Sequence, residues 1–393
     1  MKIVFFAHPL FLGSQSMPRF VTMLSDGMAK RGHQVEIWRP EALFLNFPLR
    51  KIRKWLGYID QYVLFPRQVK SRLKKINGEV LYVFADHALG PYVPLVSEKA
   101  HIVHCHDFLA QRSAKGEIAE NLTSASGKAY QAFIQRGYNQ GKNFISVSEK
   151  TRQDLSDFLK DQPLRSEMVY NGLSSSFRPG NVKSIRETLG AQFQVDLSAG
   201  YILHVGGNQW YKNRTGVIMI YEQWRRSYSH PLPLLLIGQS PAQSLLEVYQ
   251  QSSFKADIHF LTGLTDEQVR LAYAGASVFL FPSLAEGFGW PIAEAMASGT
   301  LVITTNQAPM LEVAGDAAFL INRRPQEKQE EERWAMAAAD ILEHSLHLSA
   351  DEKAEWTARA QENIRRFDLE EALDNIEQIY LQVFTDHYQK SRS

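Results

Sequence analysis

Short apolar runs alternate with amphipathic segments along most of this chain, and that alternation leaves few folds open. Residues 2–7 (Lys-Ile-Val-Phe-Phe-Ala), 35–38, 80–84, 101–104 and 143–147 are rich in Val, Ile and Phe. Such runs read as strands buried on both faces, the mark of a parallel sheet covered by helices. Residues 18–31 carry Phe20, Met23, Leu24 and Met28 at helical spacing, and Gly32 stops that helix. A second series follows, with strands expected at 201–205, 234–237, 257–261, 277–281 and 301–304. Helices are expected between them, near 215–227, 241–252, 266–275 and 291–298. The stretch 171–182, Asn-Gly-Leu-Ser-Ser-Ser-Phe-Arg-Pro-Gly-Asn-Val, has turn residues and no period, so it reads as the linker. The fold class expected is therefore α/β, with two Rossmann-like, doubly wound domains over 1–175 and 176–367 facing across a cleft. Residues 333–346 and 350–386 read as helical with a break near Phe367, and a final helix over 368–393 is expected to pack back on the first domain.

Length agrees, because 393 residues exceed one ordinary core at about 150 residues per domain. The net charge of +1 offers no global field for nucleic acid. The single cysteine, Cys105, excludes a disulfide framework and a Cys-based zinc site, and suits a reducing cytoplasm. Met1 to Pro9 does not read as a signal peptide, and no run of 18 apolar residues would span a membrane. The charged run Gln326–Arg333 reads as a solvated loop or helix face.

The most informative segment is Phe281-Pro-Ser-Leu-Ala-Glu286-Gly287-Phe288-Gly289-Trp290-Pro291-Ile-Ala-Glu294-Ala-Met-Ala-Ser-Gly299. It leaves a strand, turns through two glycines and enters a helix that Pro291 opens and Gly299 stops. Gly287 and Gly289 let backbone N–H groups approach a ligand, and a helix N-terminus attracts phosphate or sugar oxygens. Glu286 and Glu294 can each accept paired sugar hydroxyls. The plainer alternative is a strand–turn–helix junction with two solvated glutamates.

This pattern, Glu286-Gly-Phe-Gly-x-Pro291-x-x-Glu294, resembles the paired-glutamate motif of the retaining glycosyltransferases of family 4, which have the GT-B fold. Asp266-Glu267 with Leu271, Tyr273 and Ala276 is similar to the helix before that motif. Asn306 to Ala318 is similar to the loop after it. The resemblance is strong over about 200–322 and weaker over 1–180. It implies that Glu294 binds the ribose hydroxyls of a nucleotide sugar. It also implies that Glu286 and the backbone of Gly287, Phe288 and Gly289 hold the donor sugar, with Leu264, Trp290 and Pro291 alongside.

Two further elements agree. Leu203-His-Val-Gly206-Gly207-Asn208-Gln-Trp-Tyr211-Lys212-Asn213-Arg214 resembles the family's phosphate-binding loop, and Lys212 matches the lysine that neutralises the diphosphate. Tyr211 stands where the family usually has arginine, and Arg214 is the candidate for the second charge. In the first domain, Ile102-Val-His104-Cys-His106-Asp107 resembles the family's strand-end His-Asp, and His106 matches the histidine that contacts the donor sugar. His104 and His106 are expected to face opposite ways, which would spoil a shared metal site. Asp86-His87 could also line the cleft. Gly13, in the loop His8 to Gln15, matches the position where backbone meets the diphosphate; an ordinary turn is the alternative. No Asp-x-Asp lies near a strand end, so no metal and no other cofactor is expected.

The implied reaction is hexosyl transfer with retention from a nucleotide sugar, UDP-glucose favoured and GDP-mannose next, to a glycan or lipid-linked acceptor in polysaccharide or glycolipid synthesis. Glu286, Lys212 and His106 are the catalytic candidates, the first domain holds the acceptor, and closure of the two domains would exclude water. The rivals are a nucleotide-sugar epimerase and a non-catalytic sugar-nucleotide-binding subunit. A nicotinamide dehydrogenase is disfavoured, since no Gly-x-Gly-x-x-Gly follows a strand. Residues 43–76 hold nine Lys or Arg (Arg50, Lys51, Arg53, Lys54, Arg67, Lys70, Arg72, Lys74, Lys75) against Asp60, with Trp55, Tyr58, Tyr62 and Phe65 interleaved. They read either as a peripheral contact with the inner face of an anionic membrane or a grip on a lipid-diphosphate acceptor, or as a solvated helix pair covering the first sheet.

Overall fold

Two six-stranded sheets, parallel throughout, organise the chain. The computed structural model describes residues 1–13, 16–46, 53–228 and 232–390, and Arg50, Lys51, Ser14 and Gln15 lie outside them. Contacts divide the chain into one unit of Met1–Tyr170 with Glu370–Ser393 and another of Asn171–Leu369.

The first unit holds β1 (Lys2–Phe6), β2 (Gln34–Trp38), β3 (Val80–Phe84), β4 (His101–Cys105), β5 (Asn143–Ser146) and β6 (Arg165–Met168), in the order β2-β1-β3-β4-β5-β6. Burial follows from that order: every residue of the central strands β3 and β4 is buried, whereas no residue of edge strand β6 is. This explains why β6, Arg-Ser-Glu-Met, was not expected. A half-exposed edge strand needs no apolar run, so hydrophobic patterning does not reveal it.

The helix Leu369–Lys390 belongs to this unit from Glu370 onward. Arg31 Nη2 donates to Glu370 Oε2 at 2.9 Å, Tyr388 Oη accepts from the Val80 N–H at 2.9 Å, and Tyr380 is fully buried. Gly27 lets this helix lie close, since a Cβ there would come within 2.7 Å of the Leu373 side chain. A 3-10 segment at Ile364–Phe367 separates it from the helix Ala350–Asn363.

The second unit holds β7 (Ile202–Val205), β8 (Leu234–Ile237), β9 (Ile258–Leu261), β10 (Val278–Phe281), β11 (Leu301–Thr305) and β12 (Phe319–Ile321), in the order β12-β11-β10-β7-β8-β9. Trp224, Tyr221, Ile220 and Val217 from the helix Arg214–Ser227 pack on Leu234, Leu236 and Ile202, and Trp334 and Leu342 from the helix Lys328–Leu346 join the same core. Fully burying side chains of this size contributes about 1.5–3 kcal/mol each. Of the charged run 326–333, Lys328–Arg333 forms the start of that second helix, as the helix-face reading has it, and the acids Glu330 and Glu331 in its first turn suit the helix dipole. The stretch 171–182 is not loose: Asn171 and Phe177 are buried, and Leu173 pairs with Asp368.

Each sheet reverses its strand order once, between β1 and β3 in the first unit and between β7 and β10 in the second. Loops after the carboxyl ends of such strand pairs are where open α/β sheets hold ligands.

Candidate functional site

In the second unit the switch point is bordered by the loop after β7, residues 206–213, and the loop after β10, residues 282–289. Backbone and side-chain bonds join the two loops. The Leu284 N–H donates to the Tyr211 carbonyl at 2.7 Å, and Asn213 Nδ2 donates to the Pro282 carbonyl at 2.9 Å. Asn213 holds a left-handed conformation (φ 49°), which asparagine tolerates, and its Oδ1 caps the following helix by accepting from the Gly216 N–H at 3.2 Å.

This junction brings Lys212 Nζ to 2.8 Å from Glu286 Oε1. The Ser283 hydroxyl donates to the same carboxylate oxygen at 2.6 Å, and the Lys212 ammonium lies over the Phe281 and Tyr211 rings at 5.0 and 5.4 Å. The side chains are only 14% and 8% exposed, so water screens this pair far less than a surface pair.

Arg214 does not stand beside Lys212. Its Nη1 donates to Asn208 Oδ1 at 2.7 Å and to the Gln239 carbonyl at 2.9 Å, fastening the loops after β7 and β8 together. Burial lowers its pKa to about 10. Tyr211 contributes a ring and a carbonyl instead of the second charge. Gly206 leaves room for the His204 ring, since a Cβ there would come within 2.9 Å of His204 Nε2 and force it to shift. Gly238 (φ 147°) is more tightly constrained, since its Cβ would fall 2.1 Å from the Gly206 carbonyl oxygen.

The backbone amides are more committed than their sequence context implied. Gly206 N–H donates to Ile237, and Asn208 N–H donates to Gln239 Oε1 at 3.1 Å. At the helix Trp290–Ala297, Pro291 has no N–H and Ile292 donates to the Gly289 carbonyl at 3.0 Å. The expected row of free amides is therefore thinned, and positive charge at this junction comes from Lys212 together with Arg323, whose Nε donates to the Leu284 carbonyl at 3.3 Å, and Arg324.

Glu294 lies on that helix, 7% exposed, and the Tyr273 hydroxyl donates to its Oε2 at 3.0 Å. Phe288 is buried against Phe367, with ring centroids 5.4 Å apart. Gly289 (φ 107°) makes the turn into the helix, and Gly287 precedes it. Leu264 is half-buried, between β9 and the Thr265 cap of the helix Asp266–Gly275. Ser283, Asn213 and Arg324 were not singled out from the sequence. Arg324 Nη1 donates to Asn213 Oδ1 at 3.0 Å. Ser283 carried a signal, lying inside the glutamate motif, as did Asn213, lying inside the phosphate-loop segment.

In the first unit, His8 after β1 and Asp86 after β3 meet at its switch point, His8 Nε2 donating to Asp86 Oδ2 at 2.9 Å. Burial would raise the Asp86 pKa, but His87 and His8 outweigh it and hold the carboxyl well below its usual range. His106 Nε2 donates to the Ala85 carbonyl at 2.9 Å, leaving Nδ1 as the ring's acceptor, and burial lowers its pKa. His104 and His106 do not face opposite ways. The Phe20 ring contacts both, at 5.4 and 4.4 Å, because positions two apart on a strand share a face. His104 is bound to the Tyr380 hydroxyl at 2.6 Å and is fully buried. Gly13 (φ 71°) closes the 3-10 turn Leu10–Leu12. Among the described residues no group of three His, Cys, Asp or Glu could hold a metal ion.

Comparison with known proteins follows the same division. Residues 199–344 match the family model for glycosyl transferases group 1, and residues 17–177 match the model for glycosyltransferase family 4. The chain is 27% identical over 190 residues to the O-antigen chain mannosyltransferase B of Escherichia coli, covering 48% of this chain and 49% of that protein. It is 27% identical over 220 residues to the O-antigen chain mannosyltransferase RfbU of Salmonella typhimurium, covering 53% and 56%. The chain thus spans about half the length of the curated relatives it matches. The sucrose-phosphate synthase of Thermosynechococcus elongatus superposes with a TM-score of 0.74 at 17% identity, covering 98% of this chain and 100% of that one. Alr3699/HepE of Anabaena, solved with UDP-glucose, gives a TM-score of 0.70 at 14% identity, covering 97% and 100%. With both sheets, both switch points and both family models in agreement, the chain belongs to the family 4 glycosyltransferases and has the GT-B fold class.

Proposed function

We propose that the chain transfers a hexose from a nucleotide sugar to a glycan or lipid-linked acceptor in surface-polysaccharide or glycolipid synthesis. The 2.8 Å pair between Lys212 and Glu286 at the switch point carries this reading. A lysine beside the leaving diphosphate neutralises charge that grows as the glycosidic bond breaks. A carboxylate beside it accepts sugar hydroxyls, and the buried Glu294 on the next helix accepts the ribose hydroxyls. In the same-face displacement proposed, the bond from the anomeric carbon to the diphosphate oxygen breaks as the bond to the acceptor oxygen forms. The acceptor proton passes to the leaving phosphate, and configuration is retained. His106 Nδ1 accepts a hydrogen bond from a donor-sugar hydroxyl. Neither a metal nor another cofactor is assigned a role.

UDP-glucose and GDP-mannose are the donors proposed. The names of the O-antigen mannosyltransferase relatives favour the mannosyl donor, and that of the lipopolysaccharide glucosyltransferase WaaG of Escherichia coli favours the glucosyl one. The test is transfer by the full chain from each donor to a lipid-linked oligosaccharide. Product formation that is lost in Glu286→Ala supports the reading. Full transfer by Glu286→Ala overturns the site, and conversion of donor without acceptor favours the epimerase.

A further inference from the structure

A second charged cavity lies in the same unit at the opposite, amino ends of the strands. It has a volume of about 390 Å³ and is lined by Arg186, Ser277, Ser345, His347 and Lys353 together with apolar residues. Ser277 immediately precedes β10, whereas Lys212 and Glu286 follow the carboxyl ends of β7 and β10, so the two sites are separate.

The cavity is built around Arg186. Its Nε donates to the Gly275 carbonyl at 2.8 Å and its Nη2 donates to Ser277 Oγ at 3.0 Å, which fixes the guanidinium plane. Gly200 makes room for this arrangement. It adopts φ 116°, and a Cβ there would come within 2.1 Å of Ser277 Oγ and 3.1 Å of Arg186 Nη2.

The charges are unbalanced. Burial lowers the Arg186 pKa, and partial desolvation together with the Arg186 charge lowers that of Lys353, whose residue otherwise remains exposed. Among the described residues no carboxylate pairs with either cation. Two acids close by are held by other groups: Glu343 accepts from Trp224 Nε1 at 2.8 Å and lies 3.3 Å from Nδ1 of the lining residue His347, while Glu352 accepts from the Ser349 N–H at 2.8 Å to cap its helix. Two neighbouring cations without a counter-charge repel each other, and an anion between them removes that cost.

We propose that this cavity binds a small phosphate-bearing anion, held by the Arg186 guanidinium, the Lys353 ammonium and the Ser277 hydroxyl. A fixed guanidinium fork suits phosphate oxygens, lysine adds a mobile point charge, and the volume lies in the usual range for small-molecule sites.

The test uses thermal unfolding of the full chain with inorganic phosphate, and separately with β-glycerol phosphate, each against sodium chloride at equal ionic strength. Phosphate is expected to raise Tm beyond the chloride control, since a ligand that binds only the folded state stabilises it by mass action. Lys353→Gln, on an exposed helical position, is expected to leave the anion-free Tm unchanged or higher and to weaken the apparent phosphate affinity roughly tenfold. A larger shift with β-glycerol phosphate identifies an organic monoester as the ligand; an equal or smaller one identifies free phosphate. No shift beyond chloride overturns the proposal. An equal shift in wild type and Lys353→Gln, which would place phosphate at Lys212, overturns it as well.

Discussion

Lys212 Nζ and Glu286 Oε1 meet at 2.8 Å across loops that leave β7 and β10, although 74 positions separate them in the chain. Each charge therefore presets the other before any substrate arrives. Lys212→Ala is expected to lower kcat/KM roughly 10²- to 10³-fold, the usual cost of losing one preorganised electrostatic group. Lys212→Arg should recover only part of it, since a planar fork does not replace a point charge over the Phe281 ring. Steady-state transfer kinetics check both variants, and wild-type turnover in Lys212→Ala would remove the role assigned to it.

The Tyr273 hydroxyl orients Glu294, and its ring stays packed between Phe279 and Phe177 whether or not the hydroxyl is present. Tyr273→Phe should cost about 1 kcal/mol of nucleotide binding, roughly fivefold in Kd, with little change in fold. Calorimetric titration with UDP and GDP measures this. An unchanged Kd for both nucleotides would show that Glu294 does not meet the ribose.

Gly238→Ala should destabilise the second unit by about 1–3 kcal/mol. The added methyl would meet the Gly206 carbonyl, and φ 147° already disfavours any other residue. Since Gly206 opens the loop that carries Lys212, donor affinity should fall as well. Denaturant unfolding together with nucleotide binding reads both effects.

Acid should weaken the fold through two buried histidines. His104 and His204 are each held down to about 3 by burial, from 6.5. Below 6.5 the unfolded chain binds protons that the native state refuses, so stability falls as pH drops from 6.5 toward 3. Each fully titrating histidine contributes a slope of about 1.4 kcal/mol per pH unit. His204→Asn should flatten the curve between pH 6.5 and 5, where carboxylates are largely ionised in both states. Parallel curves for variant and wild type in denaturant melts would contradict this.

Trp55 is 66% exposed on the helix Arg53–Ile59 beside Arg53 and Lys54, while Tyr58 and Tyr62 pack against Tyr130 and Phe65 is buried. Among the described residues no helix is long and apolar enough to cross a membrane. The exposed Trp55 beside Arg53 and Lys54 is the observation on which peripheral attachment of this segment to an anionic membrane is proposed. Sedimentation with anionic liposomes should be strong at low salt, weaker at high salt and reduced in Trp55→Ser. Binding that ignores salt, or none at low salt, would count against it.

Apolar runs say nothing of strand order, yet they were enough to place most strands. Buried parallel strands must be apolar on both faces, so β3, β4, β8 and β10 announce themselves. The edge strand β6 does not, because solvent tolerates polar side chains there, and β12, Phe-Leu-Ile, is too short at three residues to stand out. In the glutamate motif, Gly289, Pro291 and Glu294 were legible because local backbone geometry demands particular residues at a turn into a helix.

What the sequence by itself determined was the α/β class, its two series of strands and the loops that carry charge, since periodicity and turn chemistry act over a few neighbouring residues. Only the tertiary structure decided partners. Lys212 binds Glu286, Arg214 turns to Asn208 and Gln239, His8 finds Asp86, and Arg186 lies near Lys353 with no acid paired to it among the described residues. Pairing across dozens or hundreds of residues depends on which strand ends the sheet places side by side, and spacing along the chain does not encode that.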